Sequence, residues 1–223
     1  MEFDRLESKT ISINKVRRIK KDFKLVTKIR KKSNSRMGFI NSREHSVVPN
    51  LVRRNFKDVS NVVHSIDITE FRTRSNQKSY LFAVKKLLTK EIVAFETSSR
   101  PSMELVMGPM KKYLRSLSDK TRSKMIVHSD QGVHFTSYEF RELLLEFGVR
   151  QSMSRKGKCL DNAPIESFFG HLKDELEYKN FRTQEDLRRA LKQYMNYYNN
   201  GRPQWDLKQK TPAEAGVRFS LVF

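Results

Sequence analysis

Three strand-like runs follow one another closely in the middle of the chain, and this order leaves few possible architectures. The runs are Val62–Arg72, Lys78–Leu88 and Glu91–Ser98, and short polar turns separate them. Such spacing is typical of an antiparallel meander. Further along, helix-like segments alternate with two short strands, Met125–Val127 and Arg150–Met153. Strands first, then alternating helix and strand, predict an α/β fold with a mixed five-stranded sheet flanked by helices.

The helices are predicted from apolar residues that recur every three or four positions. These segments are 12–23, 101–117, 137–148, 163–178 and 184–199. Serine at position 12 and at position 137 is a typical N-cap, and glycine at position 148 is a typical helix end.

The chain carries a net charge of +20, and the surplus is largest near its start. Residues 1–60 hold 17 Lys and Arg against 6 Asp and Glu. Such a surplus favours a polyanion, and contacts with phosphates would dominate the affinity. No apolar run approaches the length of a membrane span, and no signal peptide follows Met1. A single cysteine, Cys159, excludes an internal disulfide and a multi-cysteine zinc site. We therefore expect an intracellular nucleic-acid-binding protein that does not enter membranes.

Composition divides the chain into four predicted segments. Residues 1–36 form a partial helical DNA-binding segment, for which a solvated basic tail is the alternative. Residues 37–58 form a linker, residues 59–216 a folded core with a C-terminal helix, in which we expect any catalytic site, and residues 217–223 a tail. The candidate DNA contacts in the first segment are Lys15, Arg17, Arg18, Lys20 and Lys21.

Three acidic residues stand where predicted strands and helices begin or end. Asp67 alternates with isoleucines on either side, so its side chain should lie on the opposite face of the strand from theirs. Asp130 follows a short buried strand, and Glu166 lies in the first turn of a helix. The three side chains could therefore meet at one rim of the sheet. Carboxylates in such a place could hold two Mg²⁺ or Mn²⁺ ions over a DNA phosphate.

Each acid also has a simpler interpretation. Asp130 could only form a turn with Gly132, and Glu166 could only interact favourably with a helix dipole. Glu70 and Asp161 are rival acids, although Glu70 lies nearer the strand end and Asp161 precedes an asparagine in a pattern typical of helix starts. A zinc site that includes histidine is conceivable, but the histidine spacings fit no standard pattern. The histidines near the acids are His128, His134 and His171.

Basic residues surround the third acid. Arg155, Lys156 and Lys158 occupy the loop before its helix, and Lys173 lies two helical turns beyond it. Positive groups beside an acidic cluster suit a DNA backbone that crosses it, and a solvated basic loop is the alternative.

Four strings of the sequence closely resemble a known family. They are DITEF at 67–71, HSDQGVHFTS at 128–137, SMSRKGKCLDNAPIESFFGHLKDE at 152–175 and NYYNNGRPQWDLKQKTPAEA at 196–215. The family is the second-frame protein of bacterial insertion-sequence transposases. Its members carry a DDE integrase core, which retroviral integrases share on a ribonuclease-H-like fold. The resemblance runs from about Val48 to Gly216.

The resemblance implies a function for the acids and their basic neighbours. Asp67, Asp130 and Glu166 would be the metal-binding triad of an enzyme that uses water, then a freed 3′-hydroxyl, to cleave and join DNA. Lys173 would contact DNA near the cleaved end, and Arg155 and Lys156 would lie in the mobile active-site loop. The expected partners are transposon ends, target DNA and further copies of the chain, in the nucleoid of a bacterial cytoplasm.

The sequence departs from the family pattern at three places. The N-terminal helical region is short, so a partner from an upstream reading frame could supply a helix-turn-helix. Lys85 and Lys86 stand where the family tends to have Leu-Asp, and the tryptophan often found just before the first aspartate is absent. Two alternatives to a transposase remain open: a structure-specific nuclease on the same fold, and a decayed or truncated transposase that only binds DNA.

Overall fold

The computed structural model describes residues 12–25, 46–56 and 62–220. These residues form two compact units. One contains residues 46–56 and 62–196, and the other contains residues 12–25 and 197–220. The sheet and all three predicted acids belong to the first unit.

The first unit is built on the mixed five-stranded sheet that the sequence predicts. The strands are β1 (Val62–Arg72), β2 (Lys78–Lys86), β3 (Ile92–Ser98), β4 (Met125–Ser129) and β5 (Arg150–Met153). Their order across the sheet is β3-β2-β1-β4-β5. The first three pair antiparallel as a meander, whereas β4 pairs parallel with both β1 and β5. The predicted fold class and the meander are therefore confirmed.

The described residues form helices at each predicted position and at three others. The α-helices are α1 (Ile13–Asp22), α2 (Met103–Ser116), α3 (Asp119–Lys124), α4 (Val133–Thr136), α5 (Tyr138–Glu146), α6 (Ala163–Glu175), α7 (Gln184–Asn200) and α8 (Pro212–Ser220). Short 3₁₀ turns occur at Cys159–Asn162, Tyr178–Asn180 and Trp205–Leu207. The sequence did not predict α3, α4 or α8, because α3 and α4 are too short for a clear apolar period. In the described part of the chain, no helix combines the length and apolarity needed to cross a membrane.

The predicted helix ends have clear local causes. Ser12 and Ser137 cap α1 and α5, and each hydroxyl accepts a bond from a backbone N–H three residues on. Gly148 follows α5 with a φ of +66°, a left-handed conformation that glycine adopts without strain. From there the next N–H, of Val149, donates to the Leu144 carbonyl at 2.8 Å and closes the helix.

Alternation along β1 gives the sheet two faces with different partners. Ile66 and Ile68 belong to the main hydrophobic core, together with residues of α2 and α5. On the opposite face α6 packs against β1, and Lys173 of α6 bonds to Thr69. Asp67 lies on the α6 side because it alternates with the two isoleucines. Burial of the first face holds the sheet together, while the second face carries the polar groups of the site.

The described part of the predicted linker, residues 46–56, packs on the sheet. Val52 is buried in a small apolar cluster with Val63, Leu87 and Ile126. The Leu51 N–H donates to the Ser152 hydroxyl at 2.9 Å. The linker therefore contacts the core closely, and the domain boundaries at 36, 58 and 216 stay predictions.

Candidate active site

The parallel pairing of β1 with β4 brings two of the acids together. Ser65 lies opposite His128 in this pair, and the same register extended by two residues sets Asp67 opposite Asp130. Asp130 directly follows the last residue of β4, at the carboxyl end of that strand. The Asp130 charge raises the pKa of Asp67, so the two carboxylates are within electrostatic reach of each other.

The third acid, Glu166, reaches the site from α6. It lies in the first turn of that helix, and its side chain is exposed. Its charge also raises the pKa of Asp67. The structure thus places the three predicted acids in one electrostatic environment. Among residues 12–25, 46–56 and 62–220, however, no three His, Cys, Asp or Glu side chains form a group arranged to hold a metal ion.

The environment of Asp67 disfavours its ionised form. Loss of solvent is the main cause and raises its pKa well above the ordinary value of 3.8, and repulsion from the other two acids adds to the effect. Two contacts oppose this rise: the Ile68 N–H donates to Asp67 Oδ1 at 2.7 Å, and the Lys173 ammonium lies nearby. A cation placed between these acids would relieve the repulsion.

Asp130 is held by the turn that follows β4. Loss of solvent raises its pKa, while a bond from the Gly132 N–H to Oδ1, 2.9 Å long, and the nearby His134 lower it. A Cβ on Gly132 would stand 2.9 Å from the same oxygen, so only glycine fits there without a shift. The turn that the sequence offered as an alternative is therefore present, and its bond from Gly132 holds the Asp130 carboxylate in place.

Lys173 occupies the same face of the sheet. Its ammonium donates to Thr69 Oγ1 at 2.5 Å and lies 5.0 Å from the centre of the Phe71 ring. It also lowers the pKa of Asp67. The predicted DNA contact therefore lies within the acidic site and partly balances its charge.

The two rival acids have other partners. Glu70 forms surface ion pairs with Arg72 at 3.0 Å and Lys78 at 3.5 Å. Asp161 lies in the 3₁₀ turn before α6 with a fully buried side chain, where it pairs with Arg54 and Arg155. The sequence correctly predicted a helix start at this point. The Asp161 side chain, however, binds two arginines instead of capping the helix.

A buried polar network beneath the acids was missed by the sequence analysis. Ser65 donates to Asn162 Oδ1 at 2.5 Å, and the Asn162 amide donates to the Ile66 carbonyl at 3.5 Å. These contacts connect the start of α6 to β1 beside Asp67. The available signal was a serine and a histidine, Ser65 and His128, at buried positions of two strands that pair with each other.

The histidines do not form a zinc site in the described residues. His128 is buried, with Nδ1 2.9 Å from the Ser152 hydroxyl and Nε2 3.0 Å from the Asp161 carbonyl. Burial lowers its pKa and so favours the neutral ring, and both ring nitrogens are engaged. His134 Nε2 contacts the Pro101 carbonyl at 2.6 Å, and His171 is exposed on α6.

The remaining predicted DNA contacts are all exposed. Those in the first unit lie in the loop before α6, and those in the second unit lie on α1. They are Arg155, Lys156 and Lys158 in the loop and Lys15, Arg17, Arg18, Lys20 and Lys21 on the helix. Each of these side chains is therefore accessible to a DNA ligand.

A sheet of order β3-β2-β1-β4-β5, with acids on β1, after β4 and in the helix that follows β5, defines the ribonuclease-H-like class of folds. Solved structures agree. The intasome of simian T-cell lymphotropic virus, in complex with a PP2A regulatory subunit, matches with a TM-score of 0.58 and 18% identity, over 78% of this chain and 60% of that one. The HTLV-2 integrase catalytic core domain, in complex with magnesium, matches with a TM-score of 0.53 and 15% identity, over 70% and 95%.

Sequence relatives narrow the class to a family. Two integrase core domain models match residues 58–159 and 147–212. A transposase-like protein of Haemophilus influenzae is 39% identical over 74% of this chain and 76% of its own length. A protein of insertion element IS600 from Shigella sonnei is 31% identical, over 90% and 73%. The transposase for insertion sequence element IS904 of Lactococcus lactis is 33% identical, over 74% and 66%. The chain belongs to the insertion-sequence transposases with an integrase core.

Proposed function

We propose that this transposase cleaves DNA at the ends of an insertion sequence and joins the freed 3′ ends to target DNA, with Asp67, Asp130 and Glu166 as its catalytic acids. The observation that carries the proposal is the shared electrostatic environment of these carboxylates, in which Asp130 and Glu166 both raise the pKa of Asp67. An enzyme that keeps three mutually repelling acids together gains a strong site for cations.

The donor set fits a hard divalent cation. Three carboxylates offer only oxygen ligands, which Mg²⁺ and Mn²⁺ prefer, and the neighbouring histidine His128 is engaged with other groups. Two such ions, when bound, would stabilise the charge on the attacking and leaving oxygens of the phosphodiester. Asp67 and Asp130 would be held by the sheet, and Glu166 would come from α6.

The basic groups would orient the DNA strand. Lys173 lies beside Asp67 and could exchange its bond with Thr69 for one with a phosphate near the cleaved end. Arg155, Lys156 and Lys158 line the loop before α6 and are exposed to a strand that crosses it. The basic residues of α1 would add contacts with DNA phosphates, and such contacts do not depend on the base sequence.

The same proposal includes partners. Joining two transposon ends to one target requires at least two active sites, so we infer a homo-oligomer on DNA. We also propose that an upstream-frame protein supplies a helix-turn-helix for recognition of the ends. A bacterial cytoplasmic location remains part of this prediction.

A strand-transfer assay tests the catalytic acids. The substrate is a duplex with the inverted repeat that flanks the gene, either intact or with a pre-cut 3′ end, and Mg²⁺ or Mn²⁺ is supplied. We expect the unmodified protein to make joined products and Asp130→Asn to make none while it binds the duplex equally well. Asp119→Asn removes the same charge from an exposed residue of α3 and serves as the matched control.

Three results would go against the proposal in different ways. Cleavage without joined products from the pre-cut end would support a nuclease. Binding without cleavage by the unmodified protein, in either metal, would support a transposase that only binds DNA. Equal activity of Asp130→Asn and the unmodified protein would remove Asp130 from the catalytic set.

A further inference from the structure

Asp161 gathers two arginines from distant parts of the chain. Arg54 Nε donates to Asp161 Oδ1 at 2.7 Å, and Arg155 donates through Nε at 3.0 Å and through its terminal nitrogen at 3.2 Å. Asn50 adds a bond to Oδ2 at 3.0 Å. These bonds hold the pKa of Asp161 well below its ordinary value, so the carboxylate stays ionised.

The arginine pair carries a net positive charge that solvent can reach. Two guanidinium groups and one carboxylate sum to +1. The Asp161 side chain is fully buried, whereas those of Arg54 and Arg155 are 41% and 58% exposed. Arg54 donates to Asp161 through Nε, and its two terminal amino groups take no part in that bond. Both guanidinium groups therefore contact one carboxylate while their side chains remain partly exposed to solvent.

Asp161 connects the pair to the chain segments that carry Asp130 and Glu166. The Asp161 carbonyl contacts His128 Nε2 at 3.0 Å. His128 lies two residues before Asp130 in the chain. On its other side, Asp161 leads through Asn162 into α6, whose first turn carries Glu166. A ligand bound to the two arginines would therefore lie near the 3₁₀ turn Cys159–Asn162, which contacts His128 and leads into the helix of Glu166.

We propose that Arg54 and Arg155, held together by Asp161, form a binding site for one phosphate group of a DNA strand. The proposal rests on the DNA-processing function above and adds Arg54, which lies outside the loop, as a phosphate contact. Arginine forks bind phosphate through paired N–H groups. Because Asp161 has already ordered both side chains, less conformational entropy is lost when the phosphate binds.

The chain supplies a matched pair of variants for a test. Arg54→Gln removes one member of the site, while Arg53→Gln removes the same charge from the adjacent exposed residue, which bonds to Asn50 through its backbone N–H. Binding of a labelled DNA duplex is measured in metal-free buffer over a range of salt concentrations. For Arg54→Gln we expect about tenfold weaker binding, as for loss of a hydrogen bond to a charged group. The slope of log K against log salt should also fall by about one. Arg53→Gln should change neither quantity by as much.

Asp161→Asn provides a second test, because the phosphate site and nonspecific charge attraction predict opposite changes in DNA affinity for this variant. This variant makes the protein more positive, so nonspecific attraction alone predicts tighter DNA binding. If Asp161 orders the phosphate site, binding should instead weaken several-fold, because the two arginines lose their common anchor. Circular dichroism shows whether the variant folds, and the Arg54 and Arg53 pair decides the matter if it does not.

Each outcome is decisive. Equal slopes and affinities for the Arg54 and Arg53 variants would overturn the phosphate site and leave Asp161 as a structural link between the linker and the loop. Tighter binding by folded Asp161→Asn would overturn its ordering role. The function is judged separately by strand transfer: an unmodified protein that joins DNA while the Arg54 variant binds normally would refute this site alone. An unmodified protein that binds no DNA would refute both.

Discussion

Replacing Asp67 by asparagine should stabilise the metal-free protein while it abolishes strand transfer. In the folded chain, loss of solvent and the charges of Asp130 and Glu166 raise the pKa of Asp67 well above 3.8. An unfolded chain has none of these effects. Asparagine is similar in shape and can still accept the bond from the Ile68 N–H, but it carries no charge that must be desolvated.

The size of the effect follows from proton linkage. Below the ordinary carboxyl pKa, the folded and unfolded chains both hold the Asp67 proton. Between that value and the raised pKa the folded chain holds more protons, so the free energy of unfolding falls as pH rises. For one proton the fall is at most about 1.4 kcal/mol per pH unit. Asp130, whose pKa is also raised, adds a second contribution of the same sign that the variant keeps.

Urea unfolding followed by circular dichroism, over a series of pH values with a chelator present, measures this difference. The Asp67→Asn variant should become more stable than the unmodified protein as pH rises above the ordinary carboxyl range, and then stay so. Asp119→Asn removes the same charge from a carboxylate that is 92% exposed and serves as the control. Added Mg²⁺ should stabilise the unmodified protein more than the variant. An Asp67→Asn protein that is less stable than the unmodified one at every pH would refute the reasoning.

Three further predictions concern stability. Gly148→Ala should destabilise the protein by about 1–2 kcal/mol in urea unfolding, because its φ of +66° is strained for alanine; an unchanged midpoint would contradict this. Phe82→Ala, in the fully buried core, should cost about 3–5 kcal/mol, whereas Leu145→Ala, 68% exposed, should stay within about 0.5 kcal/mol. Burial lowers the pKa of His64 to about 3, so stability should fall as pH drops from about 6.5 toward 3, and the His64 ring should remain neutral by NMR at pH 5; a ring that titrates near 6.5 would exclude this.

Much of the fold was accessible from the sequence because β1 to β3 follow one another with clear turns and alternation. The mixed sheet was predicted from the alternation of helices with the last two strands. What could not be predicted were the short helices α3 and α4, whose four to six residues leave no period to detect. The second strand was predicted to reach Leu88, but it ends at Lys86, where the chain turns toward β3.

The sequence identified the acidic residues as candidates, but it did not predict the polar contacts around them. Asp67 between two isoleucines is a conspicuous charge in an apolar strand, and that pattern alone marks it. The ion pair of Arg54 with Asp161 joins residues that are 107 positions apart, and the hydrogen bond between Ser65 and Asn162 joins residues that are 97 positions apart. No local period encodes contacts at such separation. Only the folded chain reveals why the polar residues around α6 are buried.

Different elements of the fold hold the three acids in place. Asp67 and the residue before Asp130 belong to strands held by the sheet and its apolar core. Glu166 belongs to α6, whose start also makes polar contacts: Lys85 donates to the Pro164 carbonyl at 2.9 Å and Asn162 accepts from Ser65. Lys85 is one of the departures from the family pattern, and it is almost fully buried against this turn. Apolar packing through Ile165 and Phe168 holds the same helix, and each polar bond adds a smaller contribution to this packing.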